Sequence, residues 1–321
     1  MTLHALPLRE YAPGRRRTYI GFRCEHPDSL WQTDMCQTLS CANMRGSLAA
    51  PRKTDEDLCN NTNRARFYFR HLHFYRGLRA MCEPEFEAVI LAAGSSSRLL
   101  PQTREFPKCL LPLGNKTILS HLIESFKMQG ISRFTIVAGY RHRKLLPFIE
   151  NENATLILNR RYRMTGSLYS LWLSRKPRKN GLIIANSDVY LEPRLFGKII
   201  SGPGNAALID ALCEWDPEST KVKVRDGRIL IWSRDLPRDD WSGENIGIIR
   251  ICQDDVAHFY DTVDKLIVDG HRDTWWPEAL NQFVRTRDIV PIDSAGMLCK
   301  EVDTYRDYVW LLGKLQAPIK A

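Results

Sequence analysis

From Ala88 onward the chain alternates short apolar runs with stretches of helical spacing. Ala88–Ala92, Phe134–Ala138, Thr155–Leu158 and Leu182–Ala185 have the length and flanks of buried strands, the first with the character of a parallel one. Between the first two, Ile118, Leu119, Leu122, Ile123 and Phe126 fall on one helical face, and Gly130 follows where a C-terminal cap belongs. A charged helical stretch is predicted near His142–Glu150 and a further helix near Leu168–Ser174. Strands that alternate with helices call for an α/β fold: three layers around a mostly parallel, Rossmann-like sheet, with ligands bound at the carboxyl ends of the strands.

The pattern changes the domain picture at the N-terminal end. Residues 1–82 sustain neither a helical nor a strand period, and they hold five of the nine cysteines, at 24, 36, 41, 59 and 82. Through Pro84 there are 13 Lys+Arg against 8 Asp+Glu, so more than half of the chain's net charge of +9 lies in about its first quarter. We therefore expect an irregular basic extension over 1–82 and one folded domain over 83–321, with Met81 as the expected translation start. A disordered basic arm and a small accessory region are the alternatives.

Composition removes several classes. At 321 residues and 44% hydrophobic content the chain can bury a sizeable core. No apolar run is long enough to cross a membrane or to serve as a secretory signal, so no membrane partner is expected. The cysteines form no C-x-x-C pair, which leaves neither a zinc site nor a disulfide framework, and a cytoplasmic location is the default. Arg15, Arg16 and Arg17 lack interleaved aromatics, so nucleic acid is not an expected partner.

The chemistry begins where the first core strand ends. After Leu91, Ala92 and Ala93 the chain turns at Gly94, and Ser95, Ser96 and Ser97 keep the backbone N–H groups accessible to an anion. Arg98 and Lys108 then offer a planar fork and a point charge to the same phosphates, with Pro107 stiffening the approach of the lysine. The Gly-Lys-Ser/Thr of a Walker loop is missing, and so are the second and third glycines of a dinucleotide fingerprint.

This order of residues, Leu91–Gly94, Arg98, Pro107, Lys108 and Leu110–Pro112, resembles the opening signature of the nucleotidyltransferases that join a nucleoside triphosphate to a phosphorylated small molecule. Asn159, Tyr162, Ser167 and Ser170 further resemble an element of bacterial phosphocholine and alkylphosphonate cytidylyltransferases, although Thr165 and Gly166 stand where the phosphocholine enzymes carry asparagines. The resemblance implies catalytic roles for Arg98, Lys108 and Asp188, with Asp188 just past the strand Leu182–Ala185 holding Mg²⁺. The structural alternative for Asp188 is a helix N-cap. The second metal ligand is expected to be Asp303, in the segment Glu301–Thr304, with Asn245 as its rival and an N-cap role for Asp303 or Thr304 as the alternative. Gly139 and Tyr140 are expected to join Leu91–Ser97, Asn159 and Ser167 around the nucleotide.

For the acceptor, the resemblance points to Tyr162, Glu244 and a cation chosen among Lys221, Lys223 and Arg234. Strand alternation puts Lys221 and Lys223 on one face, which does not separate them. Tyr169, Trp172, Trp215, Trp232 and Trp241 are candidate rings for a quaternary ammonium, and Glu214, Asp216 and Glu244 candidate carboxylates for an amine. The expected activity is Mg²⁺-dependent transfer of CMP from CTP to a small phosphonate or phosphocholine-like acceptor, releasing pyrophosphate, with a homodimer left open. The alternatives are a sugar-1-phosphate nucleotidyltransferase using UTP, GTP or dTTP, and a non-catalytic nucleotide-binding regulator.

Overall fold

In the computed structural model the described residues are 4–7, 20–23, 86–152 and 154–316. Contacts divide the chain into units spanning Met1–Arg64 and Ala65–Ala321. In the first unit, strands β1 (His4–Pro7) and β2 (Ile20–Arg23) pair antiparallel. The expectations for the remaining residues of 1–82, and the proposed start at Met81, lie outside the described residues.

Among the described residues the second unit starts with β3 (Phe86–Ala92), buried along its whole length, and continues through the two-residue strands β4 (Pro112–Leu113) and β5 (Lys116–Thr117) into α1 (Ile118–Met128). The helix starts where the Thr117 hydroxyl accepts the Ser120 N–H at 3.1 Å. It ends as predicted, with Gly130 at φ 82° and the Ile131 N–H donating back to the Phe126 carbonyl. Next come β6 (Phe134–Ala138), α2 (Leu146–Glu152), β7 (Thr155–Leu158), α3 (Ser167–Leu173), β8 (Gly181–Asn186), β9 (Val189–Leu191) and α4 (Pro193–Ile200). The C-terminal half adds β10 (Asn205–Asp210), β11 (Lys221–Arg225), β12 (Arg228–Ser233), β13 (Gly243–Ile251), α5 (Gln253–Val268), α6 (Pro277–Phe283), β14 (Ile289–Asp293), β15 (Cys299–Glu301) and α7 (Tyr305–Gln316).

The main sheet runs β12-β11-β13-β8-β3-β6-β7, with β10 joined to β13 and β14 to β10. The half that carries the predicted strands, β8-β3-β6-β7, is parallel throughout. β13 runs antiparallel to β8 and brings the later strands in from the opposite direction. Both faces are covered, as the alternation required. Ala88, Ile90 and Ala92 of β3 face a core shared with α1 and α4, whereas Val89 and Leu91 face a second core built with α3, α5 and α6. A third, smaller cluster packs Leu99, Leu111 and Leu113 against Tyr308 and Leu311 of α7, so the C-terminal helix braces the segment that follows the phosphate turn.

Candidate active site

The carboxyl ends of β3 and β8 open into a cleft of about 400 Å³, a size that suits a small-molecule ligand. One wall is the turn after β3. Gly94 faces the cleft with nothing of the protein within 4 Å of where a Cβ would sit, leaving its backbone open to a ligand. Ser96 takes the left-handed conformation at φ 59° and is nearly buried. Its polar atoms serve the loop: the hydroxyl accepts the Lys108 backbone N–H at 3.0 Å, and the carbonyl accepts the Thr103 hydroxyl at 2.7 Å. Ser96 therefore ties the two ends of the signature together, and that tie carries Lys108 to the cleft.

Lys108 meets a group of carboxylates there. Its ammonium pairs with Asp188 and lies 2.8 Å from Asp303, which also accepts from Arg98 at 2.8 Å. Asp188, Glu301 and Asp303 bring carboxylate oxygens within 4.8 Å of one another. The arrangement is made by pairing outside the main sheet: β15 runs antiparallel to β9, with Glu301 opposite Val189, and the Val302 N–H donates to the Asp188 carbonyl at 2.9 Å. Burial works against the Lys108 charge, but Asp188, Asp303 and Glu301 outweigh it and hold the ammonium above its ordinary range. Glu301 is driven the other way. Burial, then the charges of Asp188 and Asp303, push its carboxyl well above the usual carboxylate range, and it accepts the Asn186 side-chain amide at 2.7 Å.

The capping alternatives are resolved by the geometry. The cap of α7 is a reciprocal pair: the Asp307 N–H donates to the Thr304 hydroxyl at 3.2 Å, and the Asp307 carboxylate accepts the Thr304 N–H at 2.8 Å. Asp303 is left facing the cleft. The residue at the cap of α4 is Glu192, so Asp188 has no capping role. Asn245 also lines the cleft, and its side-chain carbonyl is buried without a hydrogen-bond partner. Three clustered carboxylates with an unpartnered oxygen in the same cleft are donors of the type that could hold a hard divalent cation.

Asn159, Tyr162 and Ser167 also line the cleft. Asn159 is buried and spends its amide on Ser170 at 3.0 Å and Thr165 at 3.1 Å, shaping the loop before α3. The Ser167 hydroxyl accepts the Trp276 backbone N–H at 3.0 Å. Gly139 and Tyr140 stand behind the wall. A Cβ on Gly139 would lie 2.6 Å from the Ala93 carbonyl, and the Tyr140 N–H donates to that same carbonyl. They buttress the phosphate turn and are not part of the cleft lining.

Of the residues expected at the acceptor, Arg234 and Glu244 reach the cleft and Lys221 does not. Lys221 is fully buried, its ammonium donating to the carbonyls of Pro217, Ser219 and Arg234 at 2.8–3.1 Å. This corrects its assignment to the acceptor: the side chain holds the loop that presents Arg234. Lys223 is engaged as well, 2.6 Å from Asp240. Lys221→Met is accordingly expected to lower stability by about 1–3 kcal/mol through unpaired buried carbonyls, without changing the acceptor KM. A raised KM with an unaltered melting temperature would return Lys221 to the site.

Sequence reasoning missed Glu301 as a member of the cluster and Trp275 and Trp276 as the aromatic wall. Trp275 is partly exposed and stacks under the Arg234 guanidinium at 3.1 Å, and Trp276 is buried with its indole N–H donating to Asn186 at 3.0 Å. The rings singled out from the sequence lie elsewhere: Trp232 is in the core, and Trp172 donates to Asp264 at 2.6 Å. Glu301 stands two residues before Asp303, a spacing that puts both on one side of an extended strand. That was the available signal for it.

Comparison with known proteins agrees with this fold. Residues 88–215 match the MobA-like NTP transferase domain. The choline-phosphate cytidylyltransferase of Streptococcus pneumoniae is 25% identical over 226 residues, covering 69% of this chain and 95% of that protein. The CTP:phosphoglutamine cytidylyltransferase of Campylobacter jejuni is 25% identical over 247 residues, covering 68% of this chain and 96% of that protein. Among solved structures, the S. pneumoniae CTP:phosphocholine cytidylyltransferase has a TM-score of 0.61 at 23% identity, over 73% of this chain and 100% of the other. The inositol-1-phosphate CTP transferase of T. maritima also reaches 0.61, at 19% identity, over 75% and 100%. Over residues 88–215 the chain carries a MobA-like NTP transferase domain, set in the fold of these enzymes, and it is a nucleotidyltransferase.

Proposed function

We propose that the chain transfers CMP from CTP to a small zwitterionic acceptor that bears a phosphate or phosphonate at one end and a cationic group at the other. The observation that carries this reading is the meeting of cations and carboxylates in one cleft. Lys108, Arg98 and Arg234 line it together with Glu218, Glu244, Trp275 and the open turn at Gly94.

The acceptor oxygen is anionic at neutral pH and needs no protein nucleophile. It attacks the α-phosphorus, and pyrophosphate leaves from the opposite side. What the protein supplies is alignment of two mutually repelling anions and compensation of charge on the transferring group. Lys108 offsets charge at the α-phosphate, and the Gly94–Ser97 backbone with Arg98 holds the phosphates that depart. Arg234, stacked on Trp275, presents its fork to the acceptor phosphate or phosphonate. Glu218 and Glu244 suit the cationic end.

Asp188 and Asp303, with Glu301 beside them, would hold Mg²⁺, which when bound neutralises phosphate charge. Four free cysteines among the described residues suit a reducing cytoplasm. Among those residues no helix is long and apolar enough to cross a membrane.

The test is pyrophosphate release from the full chain, crossing CTP, UTP, GTP, ATP and dTTP with phosphocholine, 2-aminoethylphosphonate, 2-hydroxyethylphosphonate and glucose-1-phosphate in the presence of Mg²⁺. Release confined to CTP with a zwitterion supports the reading. A preference for 2-hydroxyethylphosphonate would remove the role of Glu218 and Glu244, and release only with the sugar phosphate would overturn the acceptor class.

A further inference from the structure

The charge balance of the domain is uneven in a way that the cleft does not use. Residues 85–321 contain 33 Lys+Arg against 29 Asp+Glu, and residues 139–165 alone contain 6 against 2. The whole positive surplus of the domain therefore lies in the segment that holds β7 and the turns after β6 and β7, and the rest is balanced. These turns emerge side by side, because Ala138 pairs with Leu158, and beside the phosphate turn, because Ala138 also pairs with Ala92. All six cations, Arg141, Arg143, Lys144, Arg160, Arg161 and Arg163, are exposed.

Two contacts fix the collar to the mouth of the cleft. Tyr162 lines the cleft and lies between Arg161 and Arg163, with the Arg163 guanidinium 5.8 Å from its ring centre. Tyr140 stands 6.4 Å from Tyr162, anchored through its hydroxyl to the Arg104 carbonyl, and carries Arg141 over its ring at 5.8 Å. Arg141 has Glu105 at 3.8 Å. Among the described residues the other five cations have no carboxylate within ion-pair distance.

The interior has the opposite balance. Arg98, Lys108 and Arg234 line the cleft against Asp188, Glu218, Glu244, Glu301 and Asp303, a formal deficit of two charges. Without a metal, such a pocket does not attract a triphosphate from a distance. A ring of exposed cations at its mouth does, because a cleft with low-dielectric walls focuses the field of charges at its rim.

We infer that the exposed cations of the turns after β6 and β7 form an electrostatic collar that captures the nucleoside triphosphate in the encounter and guides it to the phosphate turn. This rests on the nucleotidyl-transfer reading. The collar acts on association and not on the bound complex: its arginines extend into solvent, where attraction is long-ranged at low salt and falls away beyond about 8 Å at physiological ionic strength.

The experiment is stopped-flow binding of CTP to the full chain, followed by tryptophan fluorescence, across a series of ionic strengths. Two variants are compared: Arg160→Gln with Arg161→Gln and Arg163→Gln, and separately Arg143→Gln with Lys144→Gln. For the unaltered chain the association rate is expected to fall steeply as salt rises. In the triple variant it is expected to drop about tenfold at low salt, with the difference closing at high salt and the dissociation rate unchanged; the double variant is expected to show the same pattern at smaller size. The salt series on the unaltered chain keeps the test decisive if a variant misfolds, since a salt-independent association rate overturns the collar. Faster dissociation with unchanged association would also overturn it, by making the arginines direct contacts. So would tight binding of a single-stranded oligonucleotide with nucleotide association untouched. If the unaltered chain binds no triphosphate at any salt, nucleotidyl transfer itself falls, which is distinguishable from binding without steering.

Discussion

Asp188→Asn is expected to cut the rate of pyrophosphate release by at least about a hundredfold to a thousandfold, the loss typical when one group that stabilises transition-state charge is removed. The fold should survive. Asn keeps the shape of the buried side chain, and Lys108 retains Asp303 at 2.8 Å as a partner. Removing one of three crowded carboxylates also relieves repulsion that burial and neighbouring charge now impose on Glu301. The check pairs initial rates at saturating Mg²⁺ with a thermal melt. A variant within a few-fold of the unaltered rate would move the metal away from Asp188, and a collapse in melting temperature would make the residue a structural one.

Lys108→Ala should act on turnover more than on substrate binding. A cation that offsets α-phosphate charge matters most as that charge redistributes, so kcat is expected to fall by about two to three orders of magnitude while KM for CTP moves only a few-fold. A loss confined to KM would reduce Lys108 to a docking contact. The same variant carries a second signature, independent of turnover. Lys108 is the cation shared by Asp188 and Asp303, and without it Asp188 is a buried carboxylate with no paired cation beside the half-buried Glu301. The variant is therefore expected to melt lower than the unaltered protein without divalent cation and to gain more stability when Mg²⁺ is added. Equal Mg²⁺ shifts in the two proteins would place the ion elsewhere.

The alternation of strand and helix was legible because β3, β6 and β8 are buried on both faces and so are mostly apolar, and β7 at the sheet edge still packs Leu156 on one core and Ile157 on the other, while α1 shows one face to the core and one to water. The phosphate turn was legible for a related reason. Gly94, Arg98 and Lys108 are close in sequence, and a local turn with a hydroxyl tie through Ser96 suffices to assemble them. Of the strands β10 to β14, only the alternation at Lys221 and Lys223 in β11 was read. Their order in the sheet depends on the antiparallel return of β13 beside β8, which no local period encodes.

The cations weighed for the acceptor show the same limit. Lys221 and Lys223 alternate in sequence with apolar neighbours and read as equivalent, yet one is sealed under three carbonyls and the other is paired to Asp240. Arg234 reaches the cleft because Trp275, 41 positions further on, stacks against it. The chain by itself determined the parallel half of the sheet, the phosphate turn and the charges placed beside it, since these follow from burial period and from contacts between near neighbours. Only the tertiary structure decided which carboxylates meet Asp188 and which of the cations Lys221, Lys223 and Arg234 lines the cleft. Glu301 and Asp303 lie more than a hundred residues from Asp188 and come to it through the pairing of β15 with β9, a contact set by long-range packing.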